Sequence, residues 1–127
     1  MLLGIHHAAI ICSDYERSKA FYCDALGLSV LAETFRVGQQ SYKLDLALPD
    51  GSQIELFSFY DRPKRPSYPE ANGLRHLAFK VENVESAVQA LSEKGVVCED
   101  IRVDEFTGKK FTFFADPDDL PLEIYEI

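Results

Sequence analysis

Hydrophobic positions along this chain switch between two rhythms. Residues 5–12 form a short apolar run suited to a strand, and 15–26 carry Phe21, Tyr22, Ala25 and Leu26 on one helical stripe. Ser13 and Asp14 offer N-cap oxygens ahead of that stripe, with Glu16 at capping-box spacing from Ser13, and Gly27 stops the helix. Strands then fit 29–37, 41–48 and 53–59, with turns at Gly38-Gln39-Gln40 and Pro49-Asp50-Gly51. The order then returns. A strand fits 74–81, and Asn83 caps a helix with Val84, Ala87, Val88 and Leu91 on one face, ended by Gly95. Further strands fit 97–103, 110–115 and 122–127, with the last turn at Asp116-Pro117-Asp118-Asp119.

The pattern is a βαβββ unit used twice, over residues 1–59 and 74–127, which places the chain in the α+β class. Between the copies, 60–73 holds Pro63, Pro66 and Pro69 and reads as an extended connector. Neither copy is large enough to bury a sheet face alone. The two must therefore pack together as one domain or pair with another chain.

The copies also match residue by residue. Gly4-Ile5-His6-His7 aligns with Gly73-Leu74-Arg75-His76, and the segment closing on Glu55 aligns with the one closing on Glu123. Side chains alternate along a strand. His7, Ala9 and Ile11 therefore share one face of their strand, and His76, Ala78 and Lys80 share the equivalent face of theirs. Ile54 and Leu56 oppose Glu55, while Leu122 and Ile124 oppose Glu123. The large aliphatic groups suit a face covered by a helix, so His and Glu take the other, the concave side of a curved sheet. A glutamate set among apolar neighbours is costly without a charge partner, and a divalent cation would supply one. Two imidazoles and two carboxylates suit Ni, Zn, Co, Mn or Fe, with positions left for water or substrate oxygens. Such a site supports Lewis-acid chemistry at a carbonyl.

Composition narrows the field. The 127 residues are enough for one compact domain, and 46% hydrophobic content with 12% aromatic residues excludes general disorder. A formal net charge of -8 argues against nucleic acid, whose phosphates repel an acidic surface. No apolar run is long enough to span a bilayer, and the first residues lack a secretory pattern. Cys12, Cys23 and Cys98 are odd in number with no CxxC spacing, as expected for reduced, mostly buried thiols of a cytoplasmic protein.

Taken together, the motifs resemble the vicinal oxygen chelate superfamily, and in motif terms glyoxalase I, over nearly the whole chain. The matching segments are His7-Ala8-Ala9-Ile10 followed by Asp14, Phe21-Tyr22 with Leu26-Gly27, Ile54-Glu55-Leu56, Gly73 through Phe79, and Asp116-Pro117-Asp118 through Glu123. The resemblance implies a mixed-sheet cup with helices outside, and one divalent metal held by His7, Glu55, His76 and Glu123. It also implies a lyase or isomerase that moves a proton next to a carbonyl, with Glu123 as first choice of base and Glu55 as second. The substrate would be a small molecule chelating through vicinal oxygens, and the assembly a homodimer. Two positions depart from glyoxalase I. Where that family places a glutathione-binding arginine and asparagine, this chain has Ile11 and Phe59. Glutathione hemithioacetals are therefore not singled out. The usual glycine after Asp-Pro-Asp is Asp119, a residue type that tolerates left-handed backbone.

Several other residues carry expectations. His6 should point away from His7 if both lie in one regular strand. Arg62, Lys64 and Arg65 form either a solvated linker or a lid presenting cations to an anionic substrate. Ile11, Phe57, Phe59 and Tyr125 are candidates for an apolar substrate pocket or an interface. Competing readings are a resistance-type protein that only binds a small molecule or metal, an extradiol-type dioxygenase, which would leave Glu55 superfluous, and an epimerase of glyoxalase type.

Overall fold

Why these residues form these elements is visible strand by strand in a computed structural model that describes residues 1–127. The chain divides into two compact units, Met1–Pro63 and Lys64–Ile127. Each contains one four-stranded mixed sheet and one helical segment, so the expected α+β class is shown.

In the first unit, β1 (His7–Cys12), β2 (Ser29–Arg36), β3 (Ser41–Ala47) and β4 (Gln53–Ser58) are ordered β1-β4-β3-β2. β1 and β4 are parallel, and the other pairings are antiparallel. A helix, α1 (Tyr15–Ala20), follows β1 and runs on as a π-helical turn, Phe21–Ala25. Asp14, rather than Ser13, is its N-cap: Oδ1 accepts from the Arg17 amide at 3.1 Å. The helix thus starts one residue later than the expected Ser13–Glu16 capping box. Gly27 ends the helical stretch at φ 77°, a left-handed conformation that glycine adopts without a Cβ clash. α1 packs on β4. That contact explains why Ile54, Leu56, Ile10, Cys12 and Tyr22 are buried while the intervening residues are not.

The second unit repeats the topology. β5 (Leu77–Val81), β6 (Arg102–Val103), β7 (Lys110–Ala115) and β8 (Pro121–Glu126) are ordered β5-β8-β7-β6, with β5 and β8 parallel. α2 (Val84–Glu93) starts at Asn83, whose side chain accepts from the Ser86 amide at 2.8 Å. It packs on β7 and β8 and buries Val84 and Leu91. The Asp116 turn is held by its own carboxylate. Oδ1 accepts from the amides of Asp118 and Leu120, both at 2.9 Å, while Asp119 takes φ 64°.

Three expectations need correction. β1 begins at His7, and Ile5 is exposed. β5 begins at Leu77, so residues 74–76 precede the strand. Of the strand expected over 97–103, only Arg102–Val103 pairs with β7. Upstream of it, the Glu99 amide bonds to Phe113 O at 2.8 Å, and Thr112 Oγ1 donates to Glu99 O at 2.7 Å. A side chain thus takes a carbonyl that a ladder would have used.

Residues 64–73 are anchored to the second unit. Arg65 donates to the carbonyls of Leu74 and Arg75, Ser67 Oγ donates to Asp119 O at 2.6 Å, and Arg75 Nη1 donates to Ser67 O at 2.7 Å. Ser67 is buried. Such backbone capture by buried side chains is the signature of a fixed segment rather than a free loop.

Candidate metal centre

Each unit presents one histidine and one glutamate on the sheet face away from its helix. In the first, His7 opens β1, and Glu55 sits two registers along on the neighbouring β4, paired with Ala9. Their contact is His7 Nε2 to Glu55 Oε2 at 3.3 Å. In the second, His76 immediately precedes β5, and Glu123 pairs with Ala78 on β8. His76 Nε2 lies 3.0 Å from Glu123 Oε2. The geometry arises because the parallel β1–β4 and β5–β8 pairs set adjacent same-face side chains side by side.

Burial is graded. The carboxylate side chains are 14% and 11% exposed, against 38% and 35% for the imidazoles. The acids are thus mostly withdrawn from water and the ring nitrogens are not. Two donors held about 2.1 Å from one ion at about 90–110° would stand about 3.0–3.4 Å apart. Both His–Glu separations fall in that span, so each pair fits two ligands of a common cation. The structure brings together each His–Glu pair, but no group of three or more such side chains.

Other groups differentiate the pairs. Glu55 Oε1 faces Lys43 Nζ at 3.8 Å, and Lys43 also pairs with Asp45 at 2.7 Å. The hydrogen bond to Asp45, then the nearby acidic charge, holds the Lys43 ammonium above its ordinary pKa. In the second unit the corresponding surroundings are aromatic. Phe113 stands opposite Glu123 on β7, and its ring meets His76 edge-on at 5.1 Å.

His6 departs from expectation. Because β1 starts only at His7, strand alternation does not govern residue 6. Its Nδ1 lies 2.9 Å from His7 Nδ1, with the rings edge-on at 5.2 Å. If His7 donates in that bond, its Nε2 keeps a free lone pair toward Glu55. A doublet of histidines at a strand's first residue was the available signal.

The pocket candidates are placed as follows. Phe57 and Phe59 stack at 6.1 Å, and Arg36 lies over both. Ile11 is exposed on the His7 face. Tyr125 stacks on Phe111 at 6.2 Å, donates to Asp104 Oδ2 at 2.9 Å and contacts Thr107 Oγ1, so its hydroxyl is already engaged. Of the connector cations, Arg62 lies over Phe59 and Arg65 is spent on backbone carbonyls. All three cysteines are free, and burial pushes the Cys23 and Cys98 thiols up.

Comparison with known proteins extends this geometry. Residues 4–124 match the model of the Glyoxalase/Bleomycin resistance protein/Dioxygenase superfamily. The chain is 61% identical to the uncharacterized protein YwkD of Bacillus subtilis (strain 168), covering 99% of this chain and 98% of that one. It is 57% identical to the uncharacterized protein YaeR of Escherichia coli (strain K12), covering 98% and 97%. The crystal structure of the glyoxalase family protein from Enterococcus faecalis superposes with a TM-score of 0.90 at 52% identity, covering 98% of both chains.

Proposed function

Because the chain belongs to the Glyoxalase/Bleomycin resistance protein/Dioxygenase superfamily, we propose that it is a metal-dependent lyase or isomerase of glyoxalase I type, promoting proton transfer next to a carbonyl on a small chelating substrate. The observation that supports this reading is the recurrence of one His–Glu pair per unit, at 3.3 and 3.0 Å, on equivalent strands. On this reading His7, Glu55, His76 and Glu123 are the ligands of one divalent ion, Ni, Zn, Co, Mn or Fe, in a homodimer.

When bound, such an ion would polarise a substrate carbonyl and lower the barrier to removing the adjacent proton. The chain's own part is to place and move that proton. Glu123 is the base: it is the more withdrawn carboxylate, and its surroundings are rings rather than cations. Glu55, whose Oε1 faces Lys43 Nζ at 3.8 Å, serves binding before proton transfer. Ile11 and the Phe57–Phe59 stack line the first unit's face with apolar surface that excludes water from a substrate tail.

Metal content of the purified protein, measured by mass spectrometry beside His76→Ala, tests the reading. About one ion per chain, lost in the variant, is expected. An absence of metal under reconstitution overturns it and leaves a resistance-type binding protein. Tightly bound iron with Glu55→Gln nearly as active as wild type moves it to dioxygenase chemistry.

A further inference from the structure

We infer that Arg36, Phe57, Phe59 and Arg62 form an oxyanion-anchoring subsite on the ligand face of the first unit, built for the carboxylate or phosphate at the far end of the substrate. Its assignment to the substrate rests on the proposed function, while the subsite itself does not. Arg36 ends β2 on the same face as Glu55, and its guanidinium carbon lies 4.8 Å from the Phe57 ring centre and 5.5 Å from that of Phe59. Arg62 comes to 5.2 Å over Phe59. Two cations thus share one aromatic pair.

Guanidinium groups laid on rings use their flat faces and leave their edges to donate. Those edges are not spent on protein carboxylates. On this face Lys43 pairs with Asp45 and Glu55, so the acids there are already engaged. Arg36 donates from Nη2 to Ser41 Oγ at 3.0 Å and its Nε is closed to solvent, so an anion would be met by the Nη end of the guanidinium. The whole chain carries 21 acidic residues against 13 basic. Two adjacent arginines without an acidic partner in such a chain point to an external anion.

The placement suits a substrate reaching from the metal pair. Phe57 lies two residues beyond Glu55 on β4, about 7 Å along the strand. Lys43, opposite Phe57, bridges the interval and feels the positive charge of Arg36. The ligand class is a small organic oxyanion with an apolar or flat spacer, its charged end received in the fork of Arg36.

Calorimetric titration of the full chain with benzoate, phenyl phosphate and benzamide tests this. The two anions should bind at least ten-fold tighter than neutral benzamide at low salt, and the tighter of the two identifies a carboxylate or a phosphate end. Arg36→Gln should abolish the preference with metal content unchanged, and Arg36→Lys should retain only part of it. Equal affinity for benzamide, or a preference that survives Arg36→Gln, as anion binding to a metal would, overturns the subsite. If Arg36→Gln does not fold, exposed Arg62→Gln carries the test: several-fold loss supports the clamp, and no loss overturns it. Anion preference in a chain that binds no metal would sustain the subsite while the lyase reading falls.

Discussion

Replacing His6 with phenylalanine removes both ring nitrogens while keeping an aromatic ring beside His7. The bond at stake runs between the two Nδ1 atoms at 2.9 Å. It has two forms. When His6 donates, His7 carries its proton on Nε2 and cannot offer that nitrogen to a cation. When His7 donates, Nε2 is a free lone pair facing Glu55 Oε2 at 3.3 Å. A metal at the proposed site would select the second form, and His6 is the acceptor that would stabilise it. Loss of such an orienting partner costs about 10–100-fold in metal affinity. Both histidines are exposed, so water replaces part of the lost bond and the lower end applies. We therefore expect about ten-fold weaker binding, about 1.4 kcal/mol, with little change in melting temperature. Competition against a chromophoric zinc chelator reads the affinity directly. An affinity within two-fold of wild type would refute the orienting role. A large fall in melting temperature would show that the ring itself is structural.

Further outcomes follow from burial and charge. Leu122→Ala empties a fully buried position on β8 and should cost about 2–5 kcal/mol in denaturant unfolding. Asp116→Ala leaves the Asp118 and Leu120 amides without their acceptor, at about 1–3 kcal/mol for each amide that stays dry, and Asp116→Asn should recover part of this. Glu33 is held below its ordinary value of 4.5 by hydrogen bonds from Lys19 and then Tyr15. Its contribution is therefore complete above that value and is lost as pH falls through the lowered one. Glu33→Gln should flatten the stability profile below about pH 4.5 and leave its shape at pH 7 unchanged.

Much of the architecture was legible because each signal was redundant. β7 is bounded as expected, since Phe111 to Phe114 sit between a lysine pair and the Asp-Pro turn. α2 has an unambiguous cap in Asn83 and a clean apolar stripe. The 97–101 segment misled for a physical reason. Val97 and Ile101 resemble a strand, but Val97 is exposed and Thr112 claims the Glu99 carbonyl, a tertiary choice that local pattern does not encode. His6 misled because alternation was extended one residue beyond the strand that enforces it. The Arg36 stack was missed altogether, since a cation at the end of one strand and aromatic rings on a strand two places along the sheet have no shared spacing in sequence.

The residues standing opposite the two glutamates differ: Asp45, salt-bridged to Lys43, faces Glu55, while Phe113 faces Glu123. The next pair on the same face differs too, Lys43 facing Phe57 in the first unit and Phe111 facing Tyr125 in the second. Duplication thus kept the strand order and the His–Glu pair while the residues around the pair diverged, so each copy offers a ligand different chemistry: an ammonium and a carboxylate in one, aromatic rings in the other.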